Sequence, residues 1–160
     1  MKTKTIAISG IIAALYVAVS LLVAPFGFTA VQFRVSEMFN HLIVFNKKYF
    51  FGIVLGVFVT NMFSPLGLYD LTFGVGHSII TLSLTILASK YIKGNLGRMI
   101  FNTLMFTFTM FIIAFELHLA LGLPFFYTWL TVAAGEFVVL AIGIPIILAL
   151  NKRLNFKSLI

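Results

Sequence analysis

A chain of 160 residues that is 61% hydrophobic and 9% charged, with a mean hydropathy of +1.13, is excluded from the ordinary soluble domains. The net charge of +7 does not point to nucleic acid, because the bases fall in short clusters between apolar runs, as in the loops of a membrane protein. With no cysteine, disulfides and thiolate metal ligands are excluded too.

At about 20 residues per span, the length accommodates one all-α membrane domain, residues 1–160, with six transmembrane helices. The first predicted helix covers about 6–23 and ends at Pro25 and Gly27. Lys2 and Lys4 precede it as in a signal peptide. The run lacks a small-x-small cleavage site, however, and five more runs follow, so it reads as a span. An outer loop containing Phe28 leads to a second helix, about 34–46, which is short for a span and ends at Lys47 and Lys48. The third, about 49–63, stops at Ser64-Pro65-Leu66-Gly67. Tyr69 and Asp70 lead into the fourth, about 71–89, and Lys90, Lys93 and Arg98 mark the next loop. The fifth covers about 99–121. Gly122-Leu123-Pro124 turns the chain into the sixth, about 127–150, where Pro145 is a candidate kink. Lys152, Arg153 and Lys157 lie in the tail.

This layout tests itself by charge. With both termini cytoplasmic, ten of the eleven basic residues face inward and only Arg34 falls outside. All four acids, Glu37, Asp70, Glu116 and Glu136, fall at mid-depth or toward the outside. No phosphate-binding glycine loop is present, so ATP chemistry in an active transporter of this kind belongs to another subunit.

An ionised carboxylate at the centre of a membrane helix costs roughly 2.5–3.5 kcal/mol, and is tolerated facing a cavity, a partner or a ligand. Glu116 and Glu136 bracket the Gly-Leu-Pro turn and read as ligand groups, or as interfacial caps solvated from outside. Asp70 also fits an N-cap of the fourth helix. Arg34 and Glu37, spaced i, i+3, form either an ion pair on one helix face or part of a polar site that Asn40 and His41 extend. Asn61 serves a helix contact or a ligand. His77 and His118 lack the spacing of a metal site. Trp129, Tyr127 and Phe28 suit either a stacking wall for a flat heterocycle or the aromatic belt at the membrane surface. Two small-residue stripes let helices approach closely: Gly52 and Gly56 within the bundle, and Gly10, Ala14 and Ala18 within it or against another protein.

Taken together, Gln32-Phe33-Arg34-Val35-Ser36-Glu37, Asn61, Ser64-Pro65-Leu66-Gly67, Asp70, Phe73-Gly74, Glu116-Leu117-His118, Leu121 to Phe125 and Gly135-Glu136 resemble the QueT family over nearly the whole chain. The resemblance implies the substrate-binding S component of a prokaryotic energy-coupling-factor (ECF) importer, multi-pass in the cell membrane, which takes up queuosine precursors. It implies an S-component-like bundle whose site lies near helices four to six, with Glu136, Glu116, Asp70, Glu37, Arg34, Asn61, His118, Trp129, Tyr127 and Phe28 as candidates. It further implies docking through Ala14, Ala18 and Gly10 onto a membrane coupling protein with two ATPases; ATP is used there, and this chain is expected to bind no cofactor. The departures are Leu42 to Phe45, where the family pattern has a proline, and His77, where it has a small residue. Alternatives are an S component for another vitamin-like heterocycle, a channel, or a small membrane enzyme or accessory subunit using the outer carboxylates.

Overall fold

The computed structural model describes residues 3–27 and 32–160, and these are helical without a strand. The elements are α1 (Thr3–Leu22), a single turn α2 (Ala24–Gly27), a 3-10 helix (Val35–Val44), α3 (Tyr49–Asn61), a π-turn (Asp70–Gly74) running into α4 (Val75–Ala88), α5 (Asn95–Thr109), α6 (Phe111–Leu121), α7 (Phe125–Leu154) and α8 (Phe156–Leu159). Among the described residues, four helical stretches are long and apolar enough to cross a membrane: Thr3–Leu22, Asp70–Ala88, Asn95–Leu121 and Phe125–Leu154. The 13-residue α3 reaches only about 20 Å at 1.5 Å per residue.

The second predicted helix is not an α-helix. Val35–Val44 winds as ten residues of 3-10 helix. At about 2 Å per residue it reaches roughly 20 Å, although it has few residues for a span. It is buried at Ser36 and Glu37 and then all round from Asn40 to Val44, as befits an element in the interior of a bundle. Two features hold it in the middle of the bundle. Gly143 on α7 leaves room for Met38, whose Cβ lies 2.8 Å from where a Gly143 Cβ would stand. His41 donates from Nε2 to the Leu140 carbonyl at 2.9 Å, and its Nδ1 accepts from Asn102 on α5 at 3.3 Å. Thr85 on α4 donates to Asn102 at 2.9 Å, so four elements share one buried polar chain. His41 is thus a structural histidine.

α1 packs chiefly on α3 along Ser9, Ile12, Ala13, Tyr16 and Ser20. The contact is close because α3 carries glycines there. A Cβ at Gly52 would meet the Ser9 carbonyl at 2.8 Å, and one at Gly56 would meet the Tyr16 Cβ at 2.7 Å. The stripe of Gly10, Ala14 and Ala18 lies on the other side of α1 and is exposed. A clear contrast follows. Gly56→Ala is expected to lower thermal stability by about 1–3 kcal/mol, the usual range for overpacking. Gly10→Ala, with nothing within 4 Å of its new methyl, is expected to leave the unfolding midpoint unchanged or raise it.

The fifth predicted helix is interrupted at Met110, where α5 gives way to α6. α7 continues through Pro145 to Leu154 without a break in helical assignment. The tail is not loose. Phe156 is buried against Phe45 and Tyr49, and the Tyr49 hydroxyl donates to the Phe156 carbonyl at 2.9 Å.

Candidate functional site

All four acids of the chain end up inside the bundle. Relative exposures are 4% for Glu37, 0% for Asp70, 0% for Glu116 and 2% for Glu136, which removes solvation from outside as their explanation. They come from the 3-10 helix, the π-turn, α6 and α7 respectively. Arg34, just before the 3-10 helix, interacts electrostatically with Asp70, Glu37 and Glu116, and Glu136 with both Arg34 and Glu37. All four carboxyl groups lie in a region shielded from water, where such interactions are strong.

Two of the four are already engaged. Asp70 pairs with Arg34 at 3.2 Å and accepts a hydrogen bond from the Ser64 hydroxyl. Ser64 belongs to the Ser-Pro-Leu-Gly breaker, and its oxygen also accepts the Leu66 N–H at 3.1 Å. Asn61 secures the same turn, donating to the Asp70 carbonyl at 3.0 Å. Gly74 makes that possible, since a Cβ there would stand 2.5 Å from the Asn61 amide nitrogen. Glu37 is engaged by the Tyr16 hydroxyl at 2.7 Å and by the Asn40 amide.

Of the two readings of Arg34 and Glu37, the ion pair on one helix face gives way to a pairing of Arg34 with Asp70 across 36 residues. The cause is local: Arg34 is the residue before the 3-10 helix, with non-helical φ and ψ of −95° and 88°, so its side chain does not continue that helix face. Asp70 likewise makes no side-chain cap at the start of the π-turn; its carboxylate is turned to Arg34 and Ser64.

Glu116 and Glu136 are different. Both carboxylate oxygens of Glu116 and the Oε1 of Glu136 are buried without a hydrogen-bond partner among the described residues. Asn40 Oδ1 and Thr60 Oγ1 are in the same condition. Such groups are rare in native interiors, because an unpaired buried polar atom costs roughly 1–3 kcal/mol, and more for a charged one. The carboxyl and amide oxygens among them are acceptors, suited to a molecule rich in N–H donors or carrying positive charge. Of these groups Thr60 lines a small cavity of about 10 Å³, together with Tyr16, Ser20, Arg34, Ser36 and Asn61. Ser20 donates to Ser36 at 2.6 Å across its wall.

The remaining candidates lie apart from this cluster. His118 is exposed and donates from Nδ1 to the Leu123 carbonyl at 2.6 Å, closing the turn in which Gly122 takes the left-handed conformation that ends α6. Tyr127 is 69% exposed, on the outer surface of α7. Trp129 donates its indole N–H to the Phe108 carbonyl at 3.1 Å and packs against Phe108, Phe111 and Phe125. His77 bonds Thr109 at 2.9 Å, and no metal-binding group of His and acidic residues occurs among the described residues. Phe28 lies outside the described residues. Sequence reasoning missed Tyr16 and Ser64. Tyr16 left one signal, a polar aromatic on the same side of an apolar helix as Ser9 and Ser20.

A family model described as QueT transporter matches residues 6–152. The chain is 36% identical over 165 aligned positions to the Queuosine precursor transporter QueT of Lactococcus lactis subsp. cremoris (strain MG1363), a match covering 98% of this chain and 97% of the relative. No solved structure matches. The family is one of transporters, which sets aside the membrane-enzyme reading. With a match across nearly its whole length and four helices able to cross a bilayer, the chain is a multi-pass prokaryotic membrane protein and belongs to the QueT transporter family.

Proposed function

We propose that the protein is the S component of an ECF importer, crossing the membrane six times with both termini cytoplasmic, and that its carboxylate cluster binds a queuosine precursor of the 7-deazaguanine type. The name of the Lactococcus relative supports the substrate. The observation that carries the reading is the set of unpartnered oxygens on Glu116 and Glu136. The guanine edge presents adjacent N–H donors, which one carboxylate accepts in bidentate fashion. An aminomethyl arm adds a cation for the second carboxylate. Asp70 and Glu37 keep their present partners and hold the frame, so Glu116 and Glu136 take one end of the solute each. The cavity of about 10 Å³ is far below the ~300 Å³ at which small-molecule pockets begin, so in this reading the surrounding elements separate to admit the solute.

The exposed Gly10, Ala14 and Ala18 stripe is the proposed docking face for the coupling protein, since small residues let a partner helix approach closely. The test is uptake into proteoliposomes containing this chain with or without a coupling protein and its two ATPases. Precursor accumulation that requires both the module and ATP is expected. Ala14→Leu with Ala18→Leu is expected to abolish that uptake while binding of the solute by the isolated chain persists. Uptake without the module, or a docking variant as active as the parent, contradicts the reading.

A further inference from the structure

The end of the bundle opposite the carboxylates carries a second polar feature, of opposite sign. Two adjoining cavities, about 200 and 370 Å³, share Val44, Phe45, Arg98 and Lys157 as a common wall. The smaller adds the amides of Asn95, Asn151 and Asn155, and the larger adds Lys47. Arg98 is fixed in place, with Nε donating to the Ile92 carbonyl at 2.8 Å and Nη2 to the Ser89 carbonyl at 2.8 Å. A guanidinium has five N–H donors, so donors beyond these two remain. No acidic side chain balances these charges, because Glu37, Asp70, Glu116 and Glu136 all stand in the other cluster; the terminal group of Ile160 lies nearby, its carbonyl oxygen accepting from Asn46 at 3.3 Å.

We propose that these joined cavities bind the phosphate headgroup of an anionic phospholipid, with Arg98 and Lys157 on the phosphate, Lys47 at its edge and the asparagine amides on the glycerol oxygens. Arginine and lysine are the usual phosphate partners, and a basic pocket between helix ends at the membrane surface suits a lipid headgroup. A lipid is favoured over a soluble anion because the same elements expose apolar side chains beside the pocket. Leu87, Tyr91, Leu96 and Leu154 are each at least half exposed, where acyl chains would lie. The bound headgroup bridges the end of the 3-10 helix, the start of α5 and the α7–α8 turn, and so pins the tail.

The test is native mass spectrometry of the full chain titrated with phosphatidylglycerol or phosphatidylcholine, using two variants that each remove two charges. Lys47→Gln with Lys157→Gln alters the pocket. It spares the fold of the tail, because the tail's bond to Asn46 uses the Lys157 backbone carbonyl. Lys152→Gln with Arg153→Gln removes two bases that do not line either cavity. One phosphatidylglycerol retained by the parent and by the second variant, but bound at least tenfold more weakly by the first, is expected. Equal weakening in both variants, or equal retention of phosphatidylcholine, would overturn the site as general attraction to the membrane. Displacement of the lipid by millimolar inorganic phosphate would overturn the lipid assignment in favour of a soluble anion.

Discussion

Replacing Glu116 and Glu136 together by glutamine is expected to weaken precursor binding at least a hundredfold while the unfolding midpoint holds or rises. The substitution keeps volume and replaces each carboxyl group, with its two acceptor oxygens, by an amide. A hydrogen bond to a charged group contributes about 1.5–3 kcal/mol, so two of them amount to at least two decades in affinity. The stability half of the prediction comes from burial. Neither oxygen of Glu116, nor the Oε1 of Glu136, is hydrogen-bonded within the described residues, so the empty protein carries part of their desolvation cost. Acids that merely held the fold together would show the reverse pattern: a lower midpoint, with binding lost only in proportion to unfolding. Ligand titration and thermal unfolding of the same samples separate the two cases.

The second large effect concerns Arg34 and Asp70. Breaking a buried ion pair by removing one partner typically costs about 3–5 kcal/mol, because the other charge is left in a poor solvent. The pair qualifies, with side chains 13% and 1% exposed. Arg34→Leu alone is expected to lower the unfolding midpoint by roughly ten degrees, at about 2–4 °C per kcal/mol for a chain of this size. Arg34→Leu combined with Asp70→Leu is expected to recover most of that loss, since replacing a whole buried pair by apolar residues is often close to neutral. The double variant is nevertheless expected to bind no precursor, because the guanidinium that balances the remaining carboxylates is gone. Additive destabilisation in the double variant would show that the two residues act independently.

What could be read from the sequence follows the range of the interaction concerned. The apolar runs and their breakers marked α1, α3, α4, the α5–α6 stretch and α7 to within a few residues at most boundaries, because helix ends are set by nearby residues such as Gly122 and Ser64 to Gly67. The 3-10 winding of Val35–Val44 left no such mark. The element packs against Gly143, a hundred residues away, which makes room for Met38. The tail read as a run of bases, whereas Phe156 finds a pocket made by Phe45 and Tyr49. At the site, the acids announced themselves because a carboxylate in hydrocarbon needs a reason. Their division into engaged and free groups did not, since it rests on Tyr16, Ser64 and the long-range pairing of Arg34 with Asp70. Tyr127 and His118 sit close to Glu116 or Glu136 in sequence, but helical geometry turns them to the outer surface and to the turn.

The most direct measurement is equilibrium binding of 7-aminomethyl-7-deazaguanine to the purified, folded chain, with guanine and thiamine as competitors. The account predicts saturable one-to-one binding that thiamine leaves untouched and guanine, lacking the cationic arm for the second carboxylate, displaces only poorly. Absence of binding, or displacement by thiamine as effective as by the unlabelled precursor, would contradict it.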